Sequence, residues 1–405
     1  MKLFKNIAIT LIALLFSCAS VFAQATWTKV TNINQISDDG IYLLSAFQTI
    51  YGSTGKGNLY LLDRNISNSS SSVNCTHYQQ NEKYITIPGT ITKAKISENL
   101  IVKIYNKGNG HYNIYDIFNN KYFNGKQYLH FDSDCSSDDN IWSISITSDN
   151  AIIKSIDNGI LFSTPSSNTI NLYDKISDKR YYPTLYKLDH TTLSATTDYT
   201  EDVELSGVNV TFSRAFVDNV YNSIILPFGV ENYKGVFGAN VDAYVISDCT
   251  DGKINFNKSA NNYLEANTPY LLYGAFSAGP YNFDNVTMQK ASEAKNMTSS
   301  VYTFTGNYTK QNLGTKTGYY IINNNKLYDC GKLTALKITP HLCFITSSSN
   351  NNGTAKMSFD GIVSTGIDNI SNGEKADGDI YNLSGIKSKT EKGFYIKSGK
   401  IHFKK

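Results

Sequence analysis

Cysteine, proline, methionine and tryptophan are scarce in this sequence, and neither sign of charge dominates it. Among 405 residues there are 6 cysteines and no C-x-x-C pair, which excludes a dense disulfide framework, a zinc ribbon and a thiol redox motif. Charged residues make up 18% of the chain and the formal net charge is +3. Because the charge is so nearly balanced, neither nucleic acid nor an anionic membrane surface is expected as a partner.

Motifs for catalysis and for cofactors are also missing. The six histidines include no pair at metal-ligand spacing, and neither H-E-x-x-H nor G-x-S-x-G occurs. Residues 52–56 (G-S-T-G-K) lack the order of a phosphate-binding loop. Residues 132–139 (D-S-D-C-S-S-D-D) alternate carboxylates as a calcium loop does, but the glycine and the distal glutamate of an EF-hand are absent, which favours a solvated loop. The sequence therefore predicts no enzyme, no cofactor and no metal.

Long apolar runs are confined to the first 23 residues. Lys2 and Lys5 precede an apolar stretch at 7–16, and small residues lead up to the bond between Ala23 and Gln24. This order is typical of a secretory signal that is cleaved after Ala23. No later run is long enough for a transmembrane helix. The mature chain is expected to be exported to the cell surface or the medium, with the periplasm as the alternative.

The cysteines leave two questions open. Cys18 follows L-F-S and would be acylated if the leader were a lipoprotein signal, although Phe16 is bulky for such a signal. The other five form an odd, sparse set: Cys75, Cys135, Cys249, Cys330 and Cys343. Cys330 and Cys343 either form a bridge in an oxidising compartment or stay as buried free thiols.

Aromatic residues are abundant, at 13% of the chain with 29 tyrosines. Aromatic and β-branched side chains fit a pleated surface, so the predicted class is all-β. Within residues 24–190, hairpins with short polar turns recur, each followed by a further strand. Three such units of about 40 residues predict a closed β-barrel with a β-trefoil-like arrangement.

The remainder of the chain divides into four segments. Residues 191–202 are polar without an apolar period and are predicted to be a linker. Residues 203–360 carry short strands at the spacing of a β-sandwich, in which Pro227 should end its strand or lie at an edge. Residues 361–378 read as a flexible tether rich in Gly, Ser, Asn and Asp, and residues 379–405 form a short C-terminal β tail.

The central strand carries a family resemblance. Residues 221–230 (Y-N-S-I-I-L-P-F-G-V) resemble the "W-N-T-L-C-L-P-F" strand of large secreted and surface proteins of the Bacteroidetes. Residues 265–271 (E-A-N-T-P-Y-L) are similar to that family's "L-x-A-G-x-P-Y-L" segment, with Asn267 where glycine is usual. Residues 339–344 (T-P-H-L-C-F) resemble its "K-P-F-R-A-Y-F" strand without the arginine. The resemblance implies an exported β protein and implies no chemistry.

The end of the chain extends that resemblance. Residues 365–370 (T-G-I-D-N-I) are similar to the family's "T-G-I-D-x-I" linker, and residues 379–385 (D-I-Y-N-L-S-G) open a tail similar to type IX secretion sorting domains. The resemblance implies a signal for sorting or anchoring by outer-membrane export machinery. The alternative is a small sheet that simply ends the chain.

One group of side chains is a candidate ligand site. It consists of Tyr105, Tyr112, Tyr115, Tyr122 and Asn113. Secreted sugar-binding domains stack aromatic rings on pyranose faces and contact hydroxyls through Asn and Asp, whereas the alternative is that these rings pack across strands. The predicted function is binding or adhesion toward an extracellular glycan or protein. A surface matrix or fibre component, and an extracellular hydrolase with convergent carboxylates in a deep pocket, are the alternatives.

Overall fold

The computed structural model confirms the all-β class, since nearly all regular structure in the described residues is strand and the one described α-helix, α1, is Tyr233–Phe237. The structure describes residues 25–49, 57–66, 73–78, 84, 87–126, 129–147, 150–157, 159–164, 169–173, 182–250, 253–347, 356–360, 362–366, 380–382, 387–388, 393–397 and 400–404. One compact unit ends at Gly366, and a second extends from Ile367 to Lys405. Within the described residues, no helix has both the length and the apolar character needed to cross a membrane.

The described residues of the first part of the large unit form fourteen strands and three short 3-10 turns. The strands are β1 Ala25–Lys29, β2 Gly40–Thr49, β3 Gly57–Leu62, β4 Val73–His77, β5 Thr90–Lys93, β6 Ile101–Gly108, β7 His111–Asp116, β8 Lys121–Asn124, β9 His130–Asp132, β10 Trp142–Thr147, β11 Asn150–Ser155, β12 Ile160–Thr164, β13 Thr169–Tyr173 and β14 Thr184–Ser194. The 3-10 turns are Ile33–Gln35, Ile96–Glu98 and Asp138–Asn140.

These strands close into a barrel. The order β2-β3-β4-β13-β12-β11-β10-β7 is completed by β6, which pairs with both β7 and β2. The predicted units are present as β2–β4, β6–β8 and β10–β12, each a hairpin followed by a further strand. Tyr42, Phe123 and Trp142 are fully buried in one hydrophobic core. The barrel and its β-trefoil-like arrangement are confirmed.

Where the structure describes the second part of the large unit, it has fifteen strands besides helix α1. They are β15 Leu205–Ser213, β16 Asn222–Ile224, β17 Asp242–Thr250, β18 Lys253–Lys258, β19 Tyr270–Tyr273, β20 Tyr281–Met288, β21 Asn296–Ser299, β22 Tyr302–Asn307, β23 Gln311–Asn312, β24 Tyr319–Asn323, β25 Lys326–Asp329, β26 Lys337–Ile338, β27 Leu342–Ser347, β28 Lys356–Phe359 and β29 Ile362–Gly366. The 3-10 turns are Ala291–Glu293 and Cys330–Lys332.

Two sheets of this part face each other as a sandwich. One has the order β16-β19-β17-β18-β28-β29 and the other β21-β22-β27-β24-β25. Phe256 of the first sheet meets Phe304 of the second edge to face, with ring centroids 5.6 Å apart. Strand β16 ends at Ile224, before Pro227, whose carbonyl accepts a hydrogen bond from the Gln289 amide at 2.6 Å. The proline thus lies beyond the strand, where it removes no ladder hydrogen bond.

The prediction that residues 191–202 form a linker is wrong, because this segment is packed into the large unit. Its first four residues continue β14, which pairs in parallel with β15 and joins the barrel sheet to the second part. Leu193, Tyr199 and Glu201 are buried. The sequence does not indicate this packing, because the segment is polar and has no apolar period. The strand pairs through its backbone, and its other contacts are with residues far along the chain.

Three asparagines of the second part are among the residues in the left-handed region. Asn324 and Asn325, with φ of 47° and 62°, form the hairpin turn between β24 and β25. Asn267 has a φ of 59° and accepts a hydrogen bond from the Tyr308 hydroxyl at 2.6 Å. Asparagine tolerates this conformation better than most residues, which explains how it stands where the resembled family usually has glycine.

The second unit is a four-stranded sheet. Its strands are β30 Ile380–Asn382, β31 Lys387–Ser388, β32 Gly393–Lys397 and β33 Lys400–Lys404, in the order β31-β30-β32-β33. The predicted β tail is therefore present. The predicted tether begins with strand β29 rather than with flexible chain, and residues 367–378 lie outside the described residues.

Several sequence predictions concern the N-terminal segment and the cysteines. The signal segment, Cys18, Ala23 and Gln24 lie outside the described residues. Of the two alternatives for Cys330 and Cys343, the structure has the buried free thiols.

Candidate functional site

The hairpin β6–β7 and strand β8 place three of the predicted tyrosines on one face of the barrel. Tyr115 pairs across the strands with Lys103 on one side and Tyr122 on the other, and Tyr105 lies two residues beyond Lys103. Successive residues of a strand point to opposite faces, so these side chains share one face while Ile104 and Ile114 point into the core. We call Tyr105, Tyr115 and Tyr122 the tyrosine face.

The three rings form a continuous, half-exposed row. The ring centroids of Tyr105 and Tyr115 lie 6.3 Å apart, and those of Tyr115 and Tyr122 lie 4.8 Å apart. Burial, followed by the nearby carboxylate of Asp39, raises the pKa of Tyr105 to about 12. Burial also raises the pKa values of Tyr115 and Tyr122. All three hydroxyls therefore remain neutral hydrogen-bond donors at physiological pH.

Polar groups border this row on two sides. The Tyr115 hydroxyl donates to Oδ1 of Asn120 at 2.9 Å. Lys103 Nζ lies 3.0 Å from Oδ1 of Asp39 and donates to the Ser206 hydroxyl at 2.7 Å. An aromatic row edged by amide, carboxylate and ammonium groups offers both stacking surface and hydrogen-bond partners for a hydroxyl-rich ligand.

The other two predicted site residues are not available to a ligand. Tyr112 is 8% exposed and belongs to the barrel core. Asn113 is 2% exposed, and its Nδ2 donates to the Asn140 carbonyl at 2.9 Å. Their place in the sequence beside Tyr115 suggested one cluster, but the alternation of the strand turns Tyr112 inward, and the Asn140 loop covers Asn113.

The acidic segment 132–139 uses its carboxylates within the protein. Asp132 Oδ2 accepts hydrogen bonds from Nδ2 of Asn124 at 2.7 Å and of Asn140 at 3.1 Å. Asp134 accepts from the Ser136 hydroxyl at 2.6 Å. Within the described parts of the chain, no three His, Cys, Asp or Glu side chains are grouped to hold a metal ion. The segment is therefore a loop next to β8 and β9 whose carboxylates are hydrogen-bonded within the protein.

A second concave surface, which sequence reasoning missed, lies in the sandwich part. This groove has a volume of about 420 Å³ and is lined by Tyr263, Glu265, Ala266, Asn267, Gln289, Glu293 and Lys295. The sequence signal that could have indicated it was the resembled segment 265–271 beside the exposed Tyr263. Nothing in the sequence shows that residues near 265 and 290 meet.

No protein-family model and no curated protein matches the sequence of this chain. Solved structures with a similar chain course include the Polyporus squamosus lectin bound to the human-type influenza-binding epitope Neu5Aca2-6Galb1-4GlcNAc. It is 15% identical over 37% of this chain and 49% of the lectin, with a TM-score of 0.26. This chain thus spans about half the length of that lectin.

Two further solved structures show a comparable degree of similarity. The designed 3-fold symmetric protein ThreeFoil is 14% identical over 37% of this chain and 99% of its own, with a TM-score of 0.25. Cry35Ab1 is 11% identical over 77% of this chain and 88% of its own, with a TM-score of 0.26. Likenesses of this extent identify neither a ligand nor an activity for this chain.

Proposed function

We propose that this protein is an exported glycan-binding protein and that a sugar stacks on the tyrosine face. The observation that carries the proposal is the unbroken row of three half-exposed rings on the outside of the barrel. Two χ angles fix a tyrosine, so a row of this kind presents a large contact area at a small cost in conformational entropy. The neutral phenols and the bordering polar groups supply hydrogen bonds to sugar hydroxyls.

Binding rather than catalysis fits the chemistry of this face. Hydrolysis of a glycoside requires two carboxyl groups on either side of the scissile bond. The tyrosine face is edged by Asp39, whose Oδ1 is engaged with Lys103, and by Asp38, whose Oδ1 accepts a hydrogen bond from the Asn106 amide. An ion-paired carboxylate at the edge of an open row is suited to orienting a hydroxyl group.

The test is an immobilised-glycan array probed with the purified chain, whose intact mass is measured first to establish whether it begins at Gln24. Tyr115→Ala removes the central ring and is expected to weaken binding to the selected glycan about tenfold. Tyr115→Phe keeps the ring and should retain most of the affinity. Tyr319→Ala removes a half-buried tyrosine of the sandwich and should leave binding unchanged.

Four results would contradict the proposal. Binding to no glycan across the array would remove it. A Tyr115→Ala variant that binds as tightly as the parent would move the site elsewhere. Concentration-dependent assembly without ligand, seen by sedimentation, would favour the matrix or fibre component, and release of reducing sugar would favour the hydrolase.

A further inference from the structure

The groove in the sandwich part is built on the backbone of the stretch that follows strand β16. The amide of Asn267 donates to the Leu226 carbonyl at 2.7 Å, and that of Gln289 donates to the Pro227 carbonyl at 2.6 Å. Val230 and Leu264 exchange two backbone hydrogen bonds, of 2.9 and 3.0 Å. One buried segment therefore holds the backbone of both walls of the groove in place.

An exposed aromatic ring forms one side of this groove. Tyr263 is 40% exposed, one of two large hydrophobic residues with such exposure among the described residues. Its hydroxyl lies against Gly229, where an added Cβ would collide with the hydroxyl oxygen. The glycine thus provides the space in which this ring rests, and the ring presents the remainder of its surface to solvent.

The charged groups of the groove leave one carboxylate without a partner. Lys295 Nζ lies 3.0 Å from Oε2 of Glu265, so these two charges neutralise each other. Glu293 is exposed and makes no ion pair with any residue that the structure describes. The side-chain amide of Gln289, which also lines the groove, adds a donor and an acceptor. The lining therefore combines an aromatic ring, a neutral amide and one net negative charge.

We propose that this groove binds an amino sugar that carries a free ammonium group. The pyranose ring stacks on Tyr263, the ammonium group pairs with Glu293, and ring hydroxyls bond to Gln289 and to the Glu265–Lys295 pair. The volume of about 420 Å³ lies within the range of small-ligand sites and accommodates one or two sugar residues. An ammonium group over the face of an aromatic ring gains further stabilisation from the negative face of the ring. This site lies in the other part of the large unit from the tyrosine face and does not depend on it.

The ligand class follows from the combination of groups. A neutral hexose would leave the Glu293 charge unused, and an N-acetylated sugar would place an uncharged amide there. A simple amine would pair with Glu293 but would leave the Tyr263 ring and Gln289 without contacts. An amino sugar is the class that uses the ring, the amide and the charge together.

The experiment is a titration of the full chain with glucosamine at mildly acidic pH, followed by calorimetry or by NMR shifts. Glucosamine is expected to bind at least about tenfold more tightly than N-acetylglucosamine, glucose or methylamine. Equal affinity for glucosamine and methylamine would show that only the charge is recognised and would overturn the proposal. No detectable glucosamine binding would also overturn it.

Variants locate the site. Tyr263→Ala and Glu293→Gln should each weaken glucosamine binding about tenfold. Gly229→Ala should do the same by displacing the Tyr263 ring, with little change in the thermal midpoint because that ring is free to move into solvent. Two matched controls, Ile156→Ala at the other exposed hydrophobic residue and Glu204→Gln at an exposed carboxylate, should have no effect.

The two proposals fail separately. Tyr115→Ala should leave glucosamine affinity unchanged, and Tyr263→Ala should leave the array result unchanged. If Tyr115→Ala abolished glucosamine binding while Tyr263→Ala did not, the amino sugar would bind at the tyrosine face and the groove proposal would be wrong.

Discussion

At the scale of single residues, His341 is a fully buried imidazole within the sandwich part. Its Nδ1 lies 3.1 Å from the Ile225 carbonyl, and its ring packs edge to face on Phe212 and Tyr308, with centroids 5.4 Å away in each case. Its Nε2 has no hydrogen-bond partner among the described residues. Burial, reinforced by the charge of Arg214, lowers the pKa of His341 to about 4.

The buried imidazole predicts a loss of stability in weak acid. The folded pKa lies below the ordinary value of 6.5, so the contribution of His341 to stability is fully present above pH 6.5 and is lost as the pH falls from 6.5 toward 4. The loss from this group is about 2 kcal/mol at pH 5. His341→Asn tolerates the same left-handed backbone, with φ of 63°, and removes the titrating group.

Urea unfolding at neutral pH and at about pH 5 measures the effect. Between the two pH values, the free energy of unfolding should fall by about 2 kcal/mol more for the parent than for His341→Asn. His111→Asn, at an exposed histidine, serves as the control and should follow the parent. Identical losses in the parent and in His341→Asn would show that another group governs the acid limit.

At the scale of elements, two neighbouring carboxylates attach the segment after β14 to the barrel. Glu201 accepts hydrogen bonds from the amides of Ile96 and Ser97 at 2.6 and 3.1 Å, at the start of a 3-10 turn that has no side-chain cap of its own. Asp202 accepts two hydrogen bonds from Arg64, of 3.1 and 2.7 Å. We call this arrangement the acidic clamp.

Asp202→Asn tests the clamp. Partial burial acts to raise the pKa of Asp202, but the bonds from Arg64, Ser97 and Lys95 outweigh it and hold the pKa well below its usual range. Its contribution is therefore present above about pH 4 and is lost as the pH falls below that value. The Asp202 side chain is 42% exposed, so solvent screening limits the expected loss to about 1 kcal/mol at neutral pH.

Urea unfolding at neutral pH and near pH 3 provides the measurement, with Glu204→Gln as an exposed control. The gap between Asp202→Asn and the parent should be smaller near pH 3 than at neutral pH, because Asp202 of the unfolded chain takes up its proton there. A gap that is the same at both pH values would mean that the substitution acts through shape rather than charge.

At the scale of the whole molecule, the parallel pairing of β14 with β15 makes the barrel and the sandwich one structure. Thr191 to Ser194 pair with Val210 to Ser213, and β15 pairs in turn with β20. If either part unfolded, the paired strand of the other part would lose its hydrogen-bonded neighbour and become an exposed edge. The large unit is therefore expected to unfold in one cooperative transition.

Each part carries its own probe for that transition. The two tryptophans, Trp27 and Trp142, are both buried in the first part of the large unit, and Cys343 is buried in the sandwich. Tryptophan fluorescence and the labelling of Cys343, read by mass spectrometry over a urea series, should give the same midpoint. Separate midpoints would mean that residues 191–202 act as a linker after all.

The hairpins were predictable from the sequence because their information is local. Alternating apolar residues and short polar turns predicted the hairpins within residues 24–190, which include β6–β7 and β10–β11. The same reasoning grouped Tyr112 with Tyr115, because it counted residues along the chain without the register that turns Tyr112 into the core.

The sequence by itself determined that this is an all-β chain with a barrel of repeated hairpins, since strand propensity and turn chemistry act over a few residues. Only the tertiary structure decided which tyrosines reach the surface, that residues 191–202 pair into the sheet, and that Tyr263, Gln289 and Glu293 line one groove. Those outcomes depend on contacts between segments tens of residues apart, which the hydrophobic pattern of either segment alone does not specify.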